Sequence, residues 1–330
     1  MSNQSVFDQL EASAEESEPM SERERVLFLL RQWIVIPFKT IWEDWRSRLG
    51  LALITLYLLM GTVGVWLVDS PVQNEGSPLL NPMENPQFPL GTDNWGIDLL
   101  EQAVHATPAM LKMALAGGLF MTMVAVLVGS VSGFKRGMTE RVLMTLTDIQ
   151  ISIPGLPLLV VIALAVQPED PIVVGVILSI DGWPNLARAL HSQVISLREE
   201  SYVEASRTLG IGNMQIIRDD ILPNIMPYVL INFMQNTIRV IHTSVGLYFL
   251  GVLPFTTTNW GVMLNRAFYN ISLLTLSGWH WLLLPIILIS GLSFGVILLA
   301  QGMDRLFNPR VRARLAKSED DDQQDAPVTP

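Results

Sequence analysis

Apolar residues in this chain come in long blocks separated by short charged stretches. A helix needs about 20 mostly apolar residues to cross the hydrocarbon core of a bilayer. Six blocks approach that length: Leu51–Val68, Met110–Phe134, Val142–Val166, Pro171–Leu190, Ile225–Val252 and Trp281–Gln301. The first and last carry no charge, and the others carry Lys112, Asp148, Asp181 and Arg239. The pattern predicts an all-α polytopic membrane protein with six transmembrane helices. A shorter apolar run, Val26–Phe38, holds Arg31 and reads as a helix lying at the membrane surface. A large soluble helical protein is excluded by the charge-free blocks.

Orientation follows from the basic residues of the loops. Of the 21 lysines and arginines, 17 fall before the first block, between the second and third, between the fourth and fifth, or after the sixth, and Arg188 stands at the end of the fourth block on that same side. The external stretch Asp69–Pro108 has none. Both termini are therefore expected in the cytoplasm of a multi-pass cell-membrane protein. The order is an N-terminal cytoplasmic segment (1–49), a first span with an external loop (50–109), a core (110–303) with a cytoplasmic loop at 191–224, and a basic then acidic tail (304–330). Trp66, Trp260, Trp279 and Trp281 fall near the expected membrane edges and read as interfacial anchors. Gly129 and Gly133 form a pair that lets helices approach closely.

A net charge of −10 argues against a nucleic-acid partner, and with no cysteine there is no thiol chemistry or cysteine metal site. No P-loop pattern G-x-x-x-x-G-K-[ST] occurs, so ATP cannot bind in that manner. No Ser–His–acid or HExxH motif is visible, and neither a cofactor nor a metal is expected. The chain reads as a non-enzyme.

Two regions carry candidate function. The loop HSQVISLREESYVEASRTLGIGNMQIIRDDILPN reads as two helices, Leu197–Leu209 and Asn213–Leu222. Gly210 and Gly212 end the first, Asn213 caps the second, and Pro223 limits it. In the fifth block Asn232, Gln235, Asn236, Arg239, His242 and Thr243 recur at three- and four-residue spacing and share one helix face. A full charge inside a span needs a partner or water, so this stripe is expected to line a solute path, with Asp148 a possible partner of Arg239.

The loop resembles the EAA loop of ABC-importer permeases, E-A-A-x-x-x-G followed by L-P. Glu204, Ala205, Ser206 (for the second alanine), Gly210, Leu222 and Pro223 match it. Before the second block, Gly91, Thr92, Asp93, Gly96 and Asp98 match the G-T-D-x-x-G-x-D element of the dipeptide/oligopeptide/nickel branch, with Ile97 where an arginine is usual. That element reads as a turn offering Thr92, Asp93 or Asn94 as a helix cap. Asp148 and Pro154 fit D-x-x-x-x-x-P, and LYFLGVLPFTTTNWGVML, WHWLLLP and MDRLFNPRVR resemble further family segments.

The resemblance, from about Trp42 to Leu315, implies the MetI-like type I importer permease fold. It also implies alternating access with a second permease subunit, two cytoplasmic ABC ATPase subunits and an extracytoplasmic solute-binding protein. By the same resemblance the loop docks on the ATPase, with Gly210 as its bend and Glu204 as a polar contact. The rival readings are an ion-gradient-driven secondary transporter, with broken helices and charged midplane residues, an intramembrane enzyme, and an ABC permease for another solute such as an oligosaccharide.

Overall fold

The computed structural model describes residues 42, 44–271 and 278–307. The surface helix expected at Val26–Phe38 and the tail with Arg310, Arg312, Arg314 and Lys317 lie outside the described residues. Contacts divide the chain into Met1–Trp45 and Arg46–Pro330; everything below concerns the second unit.

The regular secondary structure of the described residues is helical, apart from one isolated bridge between Thr92 and Asp98 in the irregular stretch that joins the first two helices. Helix α1 (Trp45–Leu67) runs through a π turn at Met60–Gly64. Helix α2 is Leu99–Phe134. Then come α3 (Met138–Ser152) and α4 (Gly155–Val166), α5 (Pro171–Ile177) and α6 (Trp183–Leu197). A short α7 (Ser201–Thr208) and α8 (Asn213–Ile216) lead into α9 (Leu222–Phe249). Helices α10 (Trp260–Asn270) and α11 (Trp279–Phe307) complete the order.

Helices α1, α2 and α11 are each long and apolar enough to cross a membrane alone. The third block is not one straight helix. It breaks at Ile153–Pro154 into α3 and α4, bent by 87°. Pro154 disfavours helical geometry at Ile153, which turns extended (φ −81°, ψ 126°). The fourth block breaks too. Helix α5 stops at Ile177, a turn runs over residues 178–182, and α6 restarts at Trp183–Pro184, with the proline in its first turn.

Helix α2 is the central post. Its 36 residues span about 54 Å, well beyond a hydrocarbon core of about 30 Å. The sequence places the apolar crossing at residues 110–134, and the first turns of the helix project beyond that stretch toward the 68–98 loop. On its cytoplasmic half, Gly129 and Gly133 meet α6 so closely that a methyl group would strike the Ala187 and His191 carbonyls. The Arg198 guanidinium closes the same seam by donating to the Gly133 carbonyl at 2.6 Å.

The external loop is built around Asp93. One carboxylate oxygen accepts from the Trp95 and Ile97 amides at 2.8 and 3.0 Å, and the other from Gln102 Nε2 at 2.9 Å. Thr92 Oγ1 bonds the Ser77 carbonyl and the Leu80 amide. The cap of α2 is Asp98, whose carboxylate takes the Leu100 amide at 2.8 Å, rather than Thr92, Asp93 or Asn94. Gly91 has φ +80° with the Leu80 carbonyl pressed against it, so no side chain fits. Burial raises the pKa of Asp93 and Asp98. Glu101, buried on the projecting part of α2, is pushed up to about 7 by burial and by the carboxylates of Glu75, Asp98 and Asp69.

Two of the four tryptophans expected as membrane anchors are core residues. Trp66 and Trp279 are exposed, whereas Trp260 and Trp281 are fully buried. Trp260 lies edge-on to Tyr57 at 5.6 Å, and Trp281 edge-on to Trp95 at 6.0 Å, sealing the outer end of the bundle. Aromatic rings suit either role, and position along the chain does not distinguish them.

Candidate functional site: a cytoplasmic finger and a charged helix junction

The cytoplasmic loop forms a bent finger. The predicted first helix, Leu197–Leu209, is split: α6 carries on to Leu197, and α7 starts anew at Ser201. Helix α7 ends in a Schellman turn, with the Ile211 amide bonding the Ser206 carbonyl at 3.1 Å and the Gly210 amide bonding Arg207 at 3.0 Å. Gly210 sits at φ +76° with no atom near its missing side chain, so the backbone alone demands glycine there. Gly212, not Asn213, is the N-cap of α8; the Asn213 side chain makes no cap bond.

Pro223 does not end the second helix. Backbone angles stay helical from Asn213 through a π segment, Ile217–Ile221, and on into α9. Proline has no amide hydrogen and crowds the carbonyl four residues back, and the widened π turn accommodates that crowding. The finger tip and the spanning helix are thus one continuous rod from Asn213 to Phe249. Val203 of α7 and Ile216, Ile217, Ile221 and Ile225 of the rod are buried in one cluster with Phe134, Leu186 and Val194. Arg207 lies 4.8 Å over the Phe134 ring.

Glu204, Ala205, Leu209 and Met214 are exposed, Ser206 and Leu222 half-buried, and Pro223 exposed. Apolar Leu209 and Met214, 79% and 63% exposed, present a greasy tip to the solvent side. Such side chains are a poor surface for water and a suitable one for a partner.

The polar stripe of α9 divides. Asn232 bonds its own helix at the Tyr228 carbonyl, Asn236 reaches Thr122 of α2 at 3.0 Å, and His242 Nε2 lies 3.0 Å from Ser293 of α11. Those last two are cross-helix ties. Gln235, Arg239 and, despite its tie, His242 are exposed. A cavity of about 410 Å³ between α9 and α11 is lined by Ile231, Gln235, Ile238, Ile297, Ala300 and Gln301.

Arg239 is paired with Asp181, at 2.6 Å, and not with Asp148. Asp148 pairs with Arg188 across α3 and α6. The break between α5 and α6 swings Asp181 toward α9, and a straight fourth helix would not have revealed that. The Asp181 carboxylate also presses on Gly155 at the start of α4, where any side chain would collide with it. Two broken helices and one charged helix therefore meet at a single point.

Sequence reading also missed a polar chain at the cytoplasmic end. Ser132 Oγ is 3.0 Å from His191 Nδ1, and His191 Nε2 is 3.5 Å from Glu140. The three residues lie on α2, α6 and α3, which is why no linear motif showed them. Ser132 is fully buried and its hydroxyl already donates to the Gly129 carbonyl, so the chain ties helices and offers no nucleophile.

The chain is thus a helical protein with an exposed bent finger and a charged pair where two interrupted helices meet a third. Residues 125–313, more than half of the chain, match the family described as "Binding-protein-dependent transport system inner membrane component", and the chain belongs to that family. It is 28% identical over 284 residues to the oligopeptide transport system permease protein OppC of Bacillus subtilis, covering 83% of this chain and 91% of that one. It is 26% identical to the dipeptide permease protein DppC of the same organism, over 80% and 81% of the two chains. With the nickel permease protein NikC of Escherichia coli it shares 28% over 68% and 80%. Among solved structures, an inward-facing MetNI methionine ABC transporter is similar at a TM-score of 0.46 and 21% identity, over 61% of this chain and 95% of that one.

Proposed function

We propose that this permease carries short peptides inward as one of two membrane subunits of an ATP-driven importer, with six crossings and both termini in the cytoplasm. Two ABC ATPase subunits grip the fingers, and an extracytoplasmic binding protein delivers the solute. The chain itself catalyses nothing. Docking falls to Glu204, Ala205, Ser206, Gly210, Leu222 and Pro223. Gln235 and Arg239 line the path, while Asn232, Asn236 and His242 hold its wall and Asp148 its cytoplasmic margin.

The observation that carries this reading is the unbroken rod from the exposed finger tip to mid-membrane Arg239. The rod keeps helical backbone angles throughout, so a push at α8 is carried along its axis to the path. Broken helices would also suit an ion-driven carrier, but such a carrier has no use for a finger aimed at a motor protein. Peptides are favoured as solute by the names and coverage of the oligopeptide and dipeptide relatives.

The chain has no cysteine, so single cysteines report cleanly. Purified from its native membrane, the Met214→Cys variant is expected to bring an ABC ATPase with it and to form a crosslink to that subunit. Absence of any ATPase, or labelling of the introduced thiol only from outside the cell, would refute the reading.

A further inference from the structure

Building on that reading, we propose that Arg239 is the residue that receives a free carboxylate of the passing solute, and that Asp181 holds it ready while the path is empty. The class of solute is then a carboxylate-bearing molecule such as an unblocked peptide, and not a bare divalent cation.

Four observations converge. First, Arg239 is a full charge on the polar stripe of a helix read as membrane-spanning, yet its side chain is 45% exposed. A guanidinium at that depth cannot face hydrocarbon without large cost, so its open side looks into water or a partner subunit. Second, the ion pair is half-made. Nη2 of Arg239 meets Oδ2 of Asp181 at 2.6 Å, while Oδ1 is buried and finds no donor among the described residues. A buried ion pair is firm only when its remaining lone pairs and protons are also satisfied. Guanidinium carries five N–H donors in a planar fork, and one of them is used here. A fork matches a carboxylate with two parallel bonds.

Third, the two partners are unequal. The Asp181 side chain is 10% exposed and Arg239 45%. The aspartate is wedged against Gly155 where α4 begins and is the fixed member. The arginine, on its long side chain, is the mobile one, free to trade one carboxylate for another. Fourth, the pair stands where α3/α4 and α5/α6 are both interrupted. Irregular backbone at membrane depth occurs where it is buried in protein or lines a water-filled cavity. Solute sites of many carriers are built at such interruptions. A bare metal cation would meet the repulsion of Arg239 and find no cluster of three ligating residues among those described.

The test uses the whole transporter in proteoliposomes, with its binding protein outside and ATP supplied to the ATPases. Uptake of trialanine is compared with uptake of trialanine amide, which lacks the free carboxylate. The binding protein's own preference enters wild type and variants alike and cancels in the comparison. Arg239→Gln is expected to lower the trialanine-to-amide ratio about tenfold or more, the effect of losing a charge-assisted bond. Arg239→Lys is expected to keep most of the ratio. Because Arg239→Gln leaves Asp181 unpaired, the double variant Arg239→Gln/Asp181→Asn removes both charges; it should assemble with the ATPases and show the same loss.

An unchanged ratio in both neutral variants overturns the inference and leaves the importer reading intact. Failure of both to assemble also overturns it, since the pair is then a structural staple. A wild type that carries neither peptide removes the peptide reading itself, and this inference falls with it.

Discussion

Gly210 and Gly212 separate two meanings of glycine. Gly210 has φ +76° in open space, so Gly210→Ala costs backbone strain of about 1 kcal/mol and misdirects the turn. Gly212 has φ −67° with nothing near it, so Gly212→Ala fits without strain. Transport should fall in the first variant and hold in the second, with ATPase co-purification measured alongside. Both glycines were readable as helix stops in the sequence; which of them is conformationally required was not, because both identities fit a turn. Asp93 gives a second residue-scale expectation. Asp93→Ala removes three acceptor bonds and strands two loop amides, which should destabilise the external loop by about 2–3 kcal/mol, read by thermal unfolding of the purified complex. The G-T-D pattern announced a turn, but its centre is a carboxylate collecting amides over nine residues, which no local cap rule describes.

Single elements show where periodicity stops being a guide. Apolar content located the third and fourth helical blocks, but an apolar count does not register a bend. Pro154 and Pro184 were visible, yet proline marks both a kink and a helix start, and tertiary packing decides between them. The same ambiguity made Pro223 look like a stop where a π turn carries the helix past it. The external end of α2 makes a pH prediction. Glu101 has a pKa of about 7, raised above its ordinary value near 4.5. The folded loop therefore holds a proton more tightly than the unfolded one. Its stability is full below the ordinary value and is lost as pH rises toward 7. Protection of the 69–98 amides, corrected for intrinsic exchange, should decline from pH 5 to pH 8 by roughly the amount this linkage allows. Glu101→Gln should flatten that decline, and a profile unchanged by the substitution would assign it to other groups.

At the scale of the whole molecule, the class was legible because bilayer thickness constrains any sequence strongly. The pairing of Arg239 was not, since it depends on two helix interruptions that bring residues 58 positions apart together. What the assembled structure adds is a mechanical element: finger, π turn and spanning helix form one rod, seated on the glycine seam between α2 and α6. The most direct test places spin labels at the two ends of the rod in the cysteine-free chain, at Met214→Cys and at Leu250→Cys, the residue that caps its far end, in the assembled transporter. Their separation, measured by pulsed electron resonance with and without trapped ATP, should stay constant to within about 2 Å, as expected of one helix. A change of several ångströms on ATP binding would show that the π turn is a hinge, and the finger would then not be the lever described here.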